Sequence, residues 1–258
     1  MVGRLRVSRS SSPLSNKERE LLAATVGDGR YRVLTRWPLT VAFGPRAWLP
    51  GLAGALLAFG MLHGRGPLAG LGAAAIAGVA LLLGIAVHEA GHLVASQGVL
   101  GVKPRMLLMR SNGGVSIVEG RFTEPRGAAR FAAGGPIATL IFTAALVAGG
   151  RLVPAGALSV GLLVPAILNG AMLGVNLLPV APTDGYALFR SAVWEKVGSR
   201  AEADRRAIAW SRVVIAVALT ISMLVFATNK LHGVLAIVML ISFTAQHHIV
   251  ARRESGQL

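Results

Sequence analysis

The feature that most constrains the fold is an uninterrupted apolar run, residues 68–87, that contains no charged side chain. A helix needs about 20 such residues to cross the hydrocarbon core of a bilayer, so the run predicts a transmembrane helix. It leads directly into the sequence HEAGH at residues 88–92. Ionisable side chains at membrane depth are costly and usually functional, so this short sequence is the first candidate for a site.

The composition of the whole chain agrees with a membrane protein. Hydrophobic residues make up 53% and charged residues 14% of the 258 positions, whereas soluble domains carry roughly 25% charged residues. The 32 glycines suit close packing of membrane helices through small side chains. Cysteine is absent, so a bound metal would have to be held by His, Asp or Glu.

Six apolar segments predict an all-α polytopic membrane protein with about six transmembrane helices. They are residues 48–62, 68–87, 135–147, 157–178, 213–227 and 234–243. The third and sixth segments are short for a span of about 20 residues and need flanking residues to cross. The first contains Pro50, Gly51 and Gly54, so it is either a full span or a re-entrant or interfacial element.

The positive charges set the expected orientation. With six spans, 23 of the 26 lysines and arginines fall on one side, and only Arg65, Arg151 and Lys230 fall on the other. By the positive-inside rule the loaded side is cytoplasmic, which places a basic arm, 1–46, and a tail, 251–258, in the cytoplasm. The net charge of +15 is spread between apolar segments, so we expect no nucleic-acid partner.

Residues 101–130, between the second and third segments, interrupt the helical pattern. Two apolar stretches, 106–109 and 115–118, flank the sequence SNGG at 111–114, and Asn-Gly is a strong signal for a tight turn. We therefore predict a small β-hairpin here. It is either a surface hairpin on the cytoplasmic face or a strand edge that holds a substrate by β-augmentation.

The HEAGH sequence has the spacing of a zinc hydrolase. His88 and His92 lie four residues apart, so both imidazoles project from one face of a helix, with Glu89 beside them. The alternative, two interfacial histidines with a surface glutamate, fits poorly because the segment is otherwise apolar. A catalytic zinc takes three protein ligands, so a third ligand must come from elsewhere in the chain.

Asp184 is the candidate for that third ligand. It follows Pro179 and Pro182, which break the fourth apolar helix, and broken backbone at membrane depth is tolerated where it lines a cavity. An aspartate before a glycine is otherwise a common turn residue. The presence of HEAGH in the same chain favours the ligand role.

HEAGH at 88–92, with NLLPVAPTDG at 176–185, resembles the site-2 proteases, the intramembrane zinc metalloproteases. The pattern NxxPxxxxDG is matched at Asn176, Pro179, Asp184 and Gly185, and the resemblance covers roughly residues 81–190. It implies an intramembrane metalloprotease domain over 47–250, in a minimal form without a PDZ or CBS domain.

The resemblance also implies roles for the site residues. One Zn²⁺ per chain would be held by His88, His92 and Asp184, and Glu89 would be the general base of peptide hydrolysis. Asn176 would either donate a hydrogen bond to the oxyanion or the substrate backbone or cap the broken helix. Family members often carry GPxxN after the hairpin, whereas this chain has Thr139 in place of the asparagine. The resemblance carries an oxyanion or substrate-binding role over to Thr139, whose hydroxyl is shorter than an amide and has one donor.

The implied function is zinc-dependent endoproteolysis within or near transmembrane segments, in a multi-pass protein of the cell membrane. The implied substrates are single-span transmembrane proteins, for example anti-sigma factors or signal-peptide remnants. The alternative is a non-proteolytic zinc-binding membrane protein of the same fold. Glu89 argues against it, because a structural zinc needs no base and usually has four protein ligands.

Overall fold

A computed structural model describes residues 32–35, 40–111 and 113–228 of the chain. Within this part the strands are β1 Arg32–Thr35, β2 Thr40–Phe43, β3 Val102–Arg110 and β4 Gly113–Gly120. The helices are α1 Leu49–Leu62, α2 Pro67–Ala95, α3 Pro125–Leu152, α4 Ala157–Asn176, α5 Asp184–Val197 and α6 Arg200–Thr228.

The mostly helical membrane class is confirmed. By length and composition, α2, α3, α4 and residues Arg200–Leu224 of α6 could each cross a membrane. The first predicted span, α1, has 14 residues, which at 1.5 Å per residue covers about 21 Å of a hydrocarbon core about 30 Å thick. The last predicted segment, 234–243, lies outside the described residues. The total of six spans therefore stays a prediction.

The third predicted segment, 135–147, is longer in the structure because its helix extends at both ends, through residues 125–134 and 148–152. Helix α3 begins at Pro125, and proline suits the first turn, where its missing N–H is not needed. Residues 125–130, which the prediction included in the hairpin stretch, are thus the start of α3. Hydropathy alone does not show such an extension, since it registers only the apolar middle of the helix.

The described chain forms two compact units. The first comprises Met1–Thr123 and Gly134–Leu173, and the second comprises Glu124–Ala133 and Gly174–Leu258, in each case as far as the residues are described.

The first unit contains a four-stranded sheet in the order β1-β2-β3-β4. The predicted hairpin is confirmed: β3 and β4 pair antiparallel, from Val102 opposite Gly120 to Arg110 opposite Gly113. The four residues 106–109 of β3 are all buried, as expected for a central strand covered on both faces.

The hairpin packs on the part of α2 that carries HEAGH. Leu107 and Met109 of β3 form one apolar cluster with Ile85 and Leu93 of α2. These two helix residues bracket His88 and His92 in the sequence. Burial of this cluster therefore fixes the hairpin beside the histidines.

The other half of the sheet comes from the predicted N-terminal arm. Strand β2 pairs in parallel with β3, with Thr40 opposite Met106 and Phe43 opposite Met109, and β1 pairs antiparallel with β2. The sheet is thus larger than the hairpin we predicted. Strands of four residues are too short to stand out by alternation in a basic, serine-rich segment.

The second unit contains the interruption between α4 and α5 and the packing of α5 on α6. Tyr186 of α5 forms an apolar cluster with Ala181, Ala207 and Ile208. The peptide N–H of Ala181, which precedes a cis Pro182, donates to Ser211 Oγ at 3.1 Å. These contacts hold the segment that leads to Asp184.

Candidate metal centre

Two facing glycines let α2 and α3 approach closely beside the HEAGH sequence. A Cβ placed on Gly91 would collide with the carbonyl of Gly134, and a Cβ on Gly134 would collide with the carbonyl of Gly91. Small residues allow such backbone contact between membrane helices. The close approach brings the next turn of α3 within hydrogen-bonding reach of the histidines.

Each histidine has a partner on α3. Nδ1 of His88 lies 2.8 Å from Oγ1 of Thr139, which is fully buried. The backbone N–H of Gly135 donates to Nδ1 of His92 at 3.3 Å. The His92 ring lies against Gly135 so closely that a Cβ there would overlap it. Helix α3 therefore holds both rings from the same side.

The remaining ring nitrogens converge. Nε2 of His88 and Nε2 of His92 are 3.2 Å apart, and the two rings meet edge to face with their centroids 4.8 Å apart. Both side chains are buried. The two Nε2 atoms are therefore the ring nitrogens that approach each other.

The side chain of Glu89, on α2, contacts strand β4. Oγ of Ser116 donates a hydrogen bond at 2.7 Å to Oε2 of Glu89 or, at the same distance, to its backbone carbonyl. Gly114 packs directly on the Glu89 side chain, where a Cβ would overlap it. Glu89 itself is buried. The hairpin therefore positions this carboxylate as well as covering it.

Asp184 is the first residue of α5, after the break made by Pro179 and Pro182. The Thr183 side chain caps the helix, accepting from the N–H of Tyr186 at 3.2 Å and donating to the carbonyl of Leu178. A negative charge in the first turn also suits the helix dipole. The predicted helix break is confirmed, and α5 starts at the predicted ligand.

Gly185, the last residue of the NxxPxxxxDG pattern, has a steric role. A Cβ at this position would collide with the backbone of Leu177 and with the carbonyl of Leu178. Only glycine allows the first turn of α5 to lie this close to the interrupted segment. The Asp-Gly pair therefore combines a candidate ligand with the residue that lets the turn form.

His88 and His92 of the first unit and Asp184 of the second are side chains that could hold a metal ion. Two imidazoles and a carboxylate are the donor set of catalytic zinc sites, and the two histidines are buried. The residues therefore fit a zinc ion, and this group could hold one.

The two other predicted site residues lie in different surroundings. Asn176 is the last residue of α4 and is half-buried, and its role as an oxyanion donor or a cap stays a prediction. The fully buried hydroxyl of Thr139 is engaged with His88. This contact favours an orienting role for Thr139 over contact with a substrate.

Sequence reasoning did not single out Ser116 or Gly114. Ser116 is the only residue with a hydroxyl in the apolar stretch 115–118. A polar residue in an otherwise apolar strand was the sequence signal for a buried contact. Gly114 follows the turn glycine Gly113, and one glycine is enough for a hairpin of this kind. Gly114, which the turn does not require, was therefore the sequence signal for a close contact, which the structure shows to be with Glu89.

We expect Thr139→Val to weaken zinc binding by about 10–100-fold, the usual effect of losing an outer partner of a metal-bound histidine. For Nε2 of His88 to bind a metal, Nδ1 must carry the proton, and Thr139 is its acceptor. The measurement is competition for zinc with a chelator of known affinity.

Thr143→Val makes the same chemical change one turn further along α3, at a hydroxyl that forms no hydrogen bond within the described residues, and should leave zinc binding unchanged. Thr139→Ser should restore most of the affinity. Wild-type zinc affinity in Thr139→Val would show that the hydroxyl does not orient His88.

Comparisons with known proteins found one kind of sequence relative and a similar fold. A curated protein of Mycobacterium tuberculosis, "Putative zinc metalloprotease Rip3", is 31% identical over 155 residues in both the Erdman and H37Rv strains. The match covers 58% of this chain and 39% of the relative, so the chain spans about two fifths of the length of the curated relatives it matches. No family model matches the chain.

The fold is that of a solved site-2 protease. The structure of the site-2 protease from Methanocaldococcus jannaschii superposes with a TM-score of 0.50 at 16% sequence identity, covering 84% of this chain and 95% of that one. The chain thus has the fold of a site-2 protease and resembles a putative zinc metalloprotease over 155 residues. Its four long apolar helices and this fold indicate a membrane protein.

Proposed function

We propose that this protein is an intramembrane zinc endopeptidase that hydrolyses peptide bonds within or near transmembrane segments of other membrane proteins. The observation that carries the proposal is the position of Glu89. It is buried, it lies between the two histidines in the HEAGH sequence of α2, and strand β4 holds it through Ser116. A site that only stored zinc would have no use for a carboxylate held in this way.

His88, His92 and Asp184 would hold the zinc. When bound, zinc supplies Lewis acidity, which acidifies water and polarises a peptide carbonyl. Glu89 takes a proton from the attacking water as the new carbon–oxygen bond forms. It then returns the proton to the leaving amine as the carbon–nitrogen bond breaks. The hydrogen bond from Ser116 orients the carboxylate for both transfers.

The edge of β4 supports the hypothesis of β-augmentation. A transmembrane substrate is helical, with its amides already paired, and it must unwind before it can be cut. Strand β4 is last in the sheet order, so its outer edge is not paired by another described strand. It also contacts Glu89. An unwound substrate segment paired to this edge would regain its backbone hydrogen bonds next to the base.

We further propose the cell membrane as the location, with both termini cytoplasmic and the site near the cytoplasmic end of α2. The excess of positive charge on one side supports this orientation. The proposed substrates are single-span membrane proteins such as anti-sigma factors or signal-peptide remnants. The alternative is a non-proteolytic zinc protein of the same fold. Its function would not depend on Glu89.

The test compares the membrane proteomes of cells that carry the wild-type protein or Glu89→Gln at equal expression. Single-span fragments that accumulate only with Glu89→Gln would identify the substrates and establish the protease. Glu124→Gln, the same change at an exposed glutamate, is the matched control and should behave as wild type. Identical proteomes under several stress conditions would favour the non-proteolytic alternative.

A further inference from the structure

A groove in the first unit has an apolar part and a basic end. The apolar part is a cavity of about 450 Å³ lined by α1, α2, α4 and the hairpin turn. The basic end is a cavity of about 340 Å³ formed by Gly44, Pro45, Arg46, Arg110 and Ser111. Ser111 lines both cavities, so the two are adjacent.

The lining of the larger cavity is almost entirely hydrocarbon. Leu57 on α1, Leu81 and Ile85 on α2, and Leu168 and Met172 on α4 contribute most of it. Helices α2 and α4 are both long and apolar enough to cross a bilayer. A groove of this kind takes an apolar chain from the surrounding lipid.

The basic end offers two cations to one ligand. Arg46 is exposed and Arg110 is half-buried, and neither forms a side-chain hydrogen bond or ion pair within the described part of the chain. No acidic residue lines this cavity. Paired arginines suit a phosphate, because each guanidinium can donate two parallel hydrogen bonds to its oxygens.

The neighbouring residues place this basic end at a membrane surface. Trp48, two residues after Arg46, is 55% exposed, and exposed tryptophans gather at the interface between lipid and water. Helix α1 starts at Leu49, so the arginine side chain lies just outside the first apolar helix. An anionic group at headgroup depth would meet both arginines.

From these observations we propose that the groove is a binding site for one anionic phospholipid, with an acyl chain in the apolar part and the phosphate between Arg46 and Arg110. The groove is too small for an intact substrate helix. A 20-residue helix is about 30 Å long and 10–12 Å wide, roughly 2,500 Å³, several times the apolar cavity. A basic pocket between membrane helices is also a common type of headgroup site.

The test uses the purified full-length protein and native mass spectrometry after exchange with phosphatidylglycerol or phosphatidylcholine. We expect phosphatidylglycerol to be retained about tenfold better, as one charge-assisted hydrogen bond would give. Arg46→Gln/Arg110→Gln should abolish the difference. The control, Arg65→Gln/Arg121→Gln, removes two exposed arginines outside the groove and should keep it. Equal retention of the two lipids by the wild type would overturn the proposal.

A second pair of variants tests the apolar part. Ala53→Phe fills the groove from α1, whereas Leu52→Phe adds bulk at a neighbouring exposed position that does not line it. Only Ala53→Phe should reduce phosphatidylglycerol retention. If inorganic phosphate displaced bound phosphatidylglycerol as effectively as the intact lipid does, the proposed contact with the acyl chain would be wrong. If Ala53→Phe blocked cleavage of substrates but left lipid retention unchanged, the groove would belong to the substrate.

This proposal does not depend on proteolysis. Lipid retention is measured on protein without a substrate, and Glu89→Gln should retain phosphatidylglycerol as the wild type does. Failure of the lipid site would leave the protease untouched, and failure of the protease would leave the lipid site untouched.

Discussion

Glu89→Gln is expected to bind zinc as the wild type does and to lose hydrolysis of a single-span substrate by at least 10²–10⁴-fold, the usual contribution of a general base. The amide keeps the size of the side chain and can still meet Ser116, but it cannot accept a proton from water. Zinc content is measured by mass spectrometry of the metal in purified protein, and hydrolysis is measured in reconstituted vesicles.

Ser116→Ala tests how much of the activity depends on the orientation of the Glu89 carboxylate. It leaves Glu89 in place and removes the hydrogen bond at 2.7 Å, so we expect a smaller loss of hydrolysis than in Glu89→Gln, with zinc content unchanged. Full activity in Glu89→Gln would show that another group serves as the base. A loss of zinc in Glu89→Gln would mean that this residue helps to hold the metal.

Asp184→Ala is expected to lower zinc affinity by more than about 100-fold, because losing even an outer partner of a ligand costs 10–100-fold. The change removes one of the three candidate ligand side chains and leaves His88 and His92 in place. We expect the purified variant to contain little zinc and to show no hydrolysis. Zinc per chain and chelator competition are the two measurements.

Asp204→Ala is the control for that experiment. It removes an aspartate of the same unit that pairs with Arg190 at 3.7 Å and belongs to no candidate metal group in the described chain. It should keep its zinc. Unchanged zinc content in Asp184→Ala would remove this residue from the ligand set and require another side chain in its place.

The membrane helices and the candidate ligands were predictable because each depends on local sequence. A long apolar run has few alternatives to a helix in lipid, and His88 and His92 share a helix face whatever surrounds them. Asp184 follows two prolines that end α4, so its place at a helix start was also encoded nearby. These predictions needed no knowledge of how distant segments pack.

The partners of these residues could not be predicted, because they come from distant segments. Thr139 meets His88 only through the close approach of α3 to α2 at Gly91 and Gly134. Ser116 meets Glu89 only through the packing of the hairpin on α2. One sequence does not show which of many serines and threonines is brought to the site.

Strand β2, ahead of α1, shows a related difficulty. The first apolar segment, 48–62, agrees in length with its helix of 14 residues, and both are shorter than a span of about 20 residues. The residues ahead of it were predicted to be a basic arm, and within them Thr40–Phe43 form a strand. Hydropathy indicates whether a segment prefers water or lipid. It does not identify a short strand such as β2, whose partner β3 follows two helices later in the sequence.

The parallel pairing of β2 with β3 also sets the order in which the protein can assemble during synthesis. Strand β2 is made before α1 and α2, but its partner, residues 106–109, is made after both helices. A ribosome adds about 5–20 residues per second, so β2 waits for seconds with only β1 to pair with. The hairpin that holds Glu89 is completed later still. The strand that contacts Glu89 therefore joins the sheet only after α1 and α2 have been made.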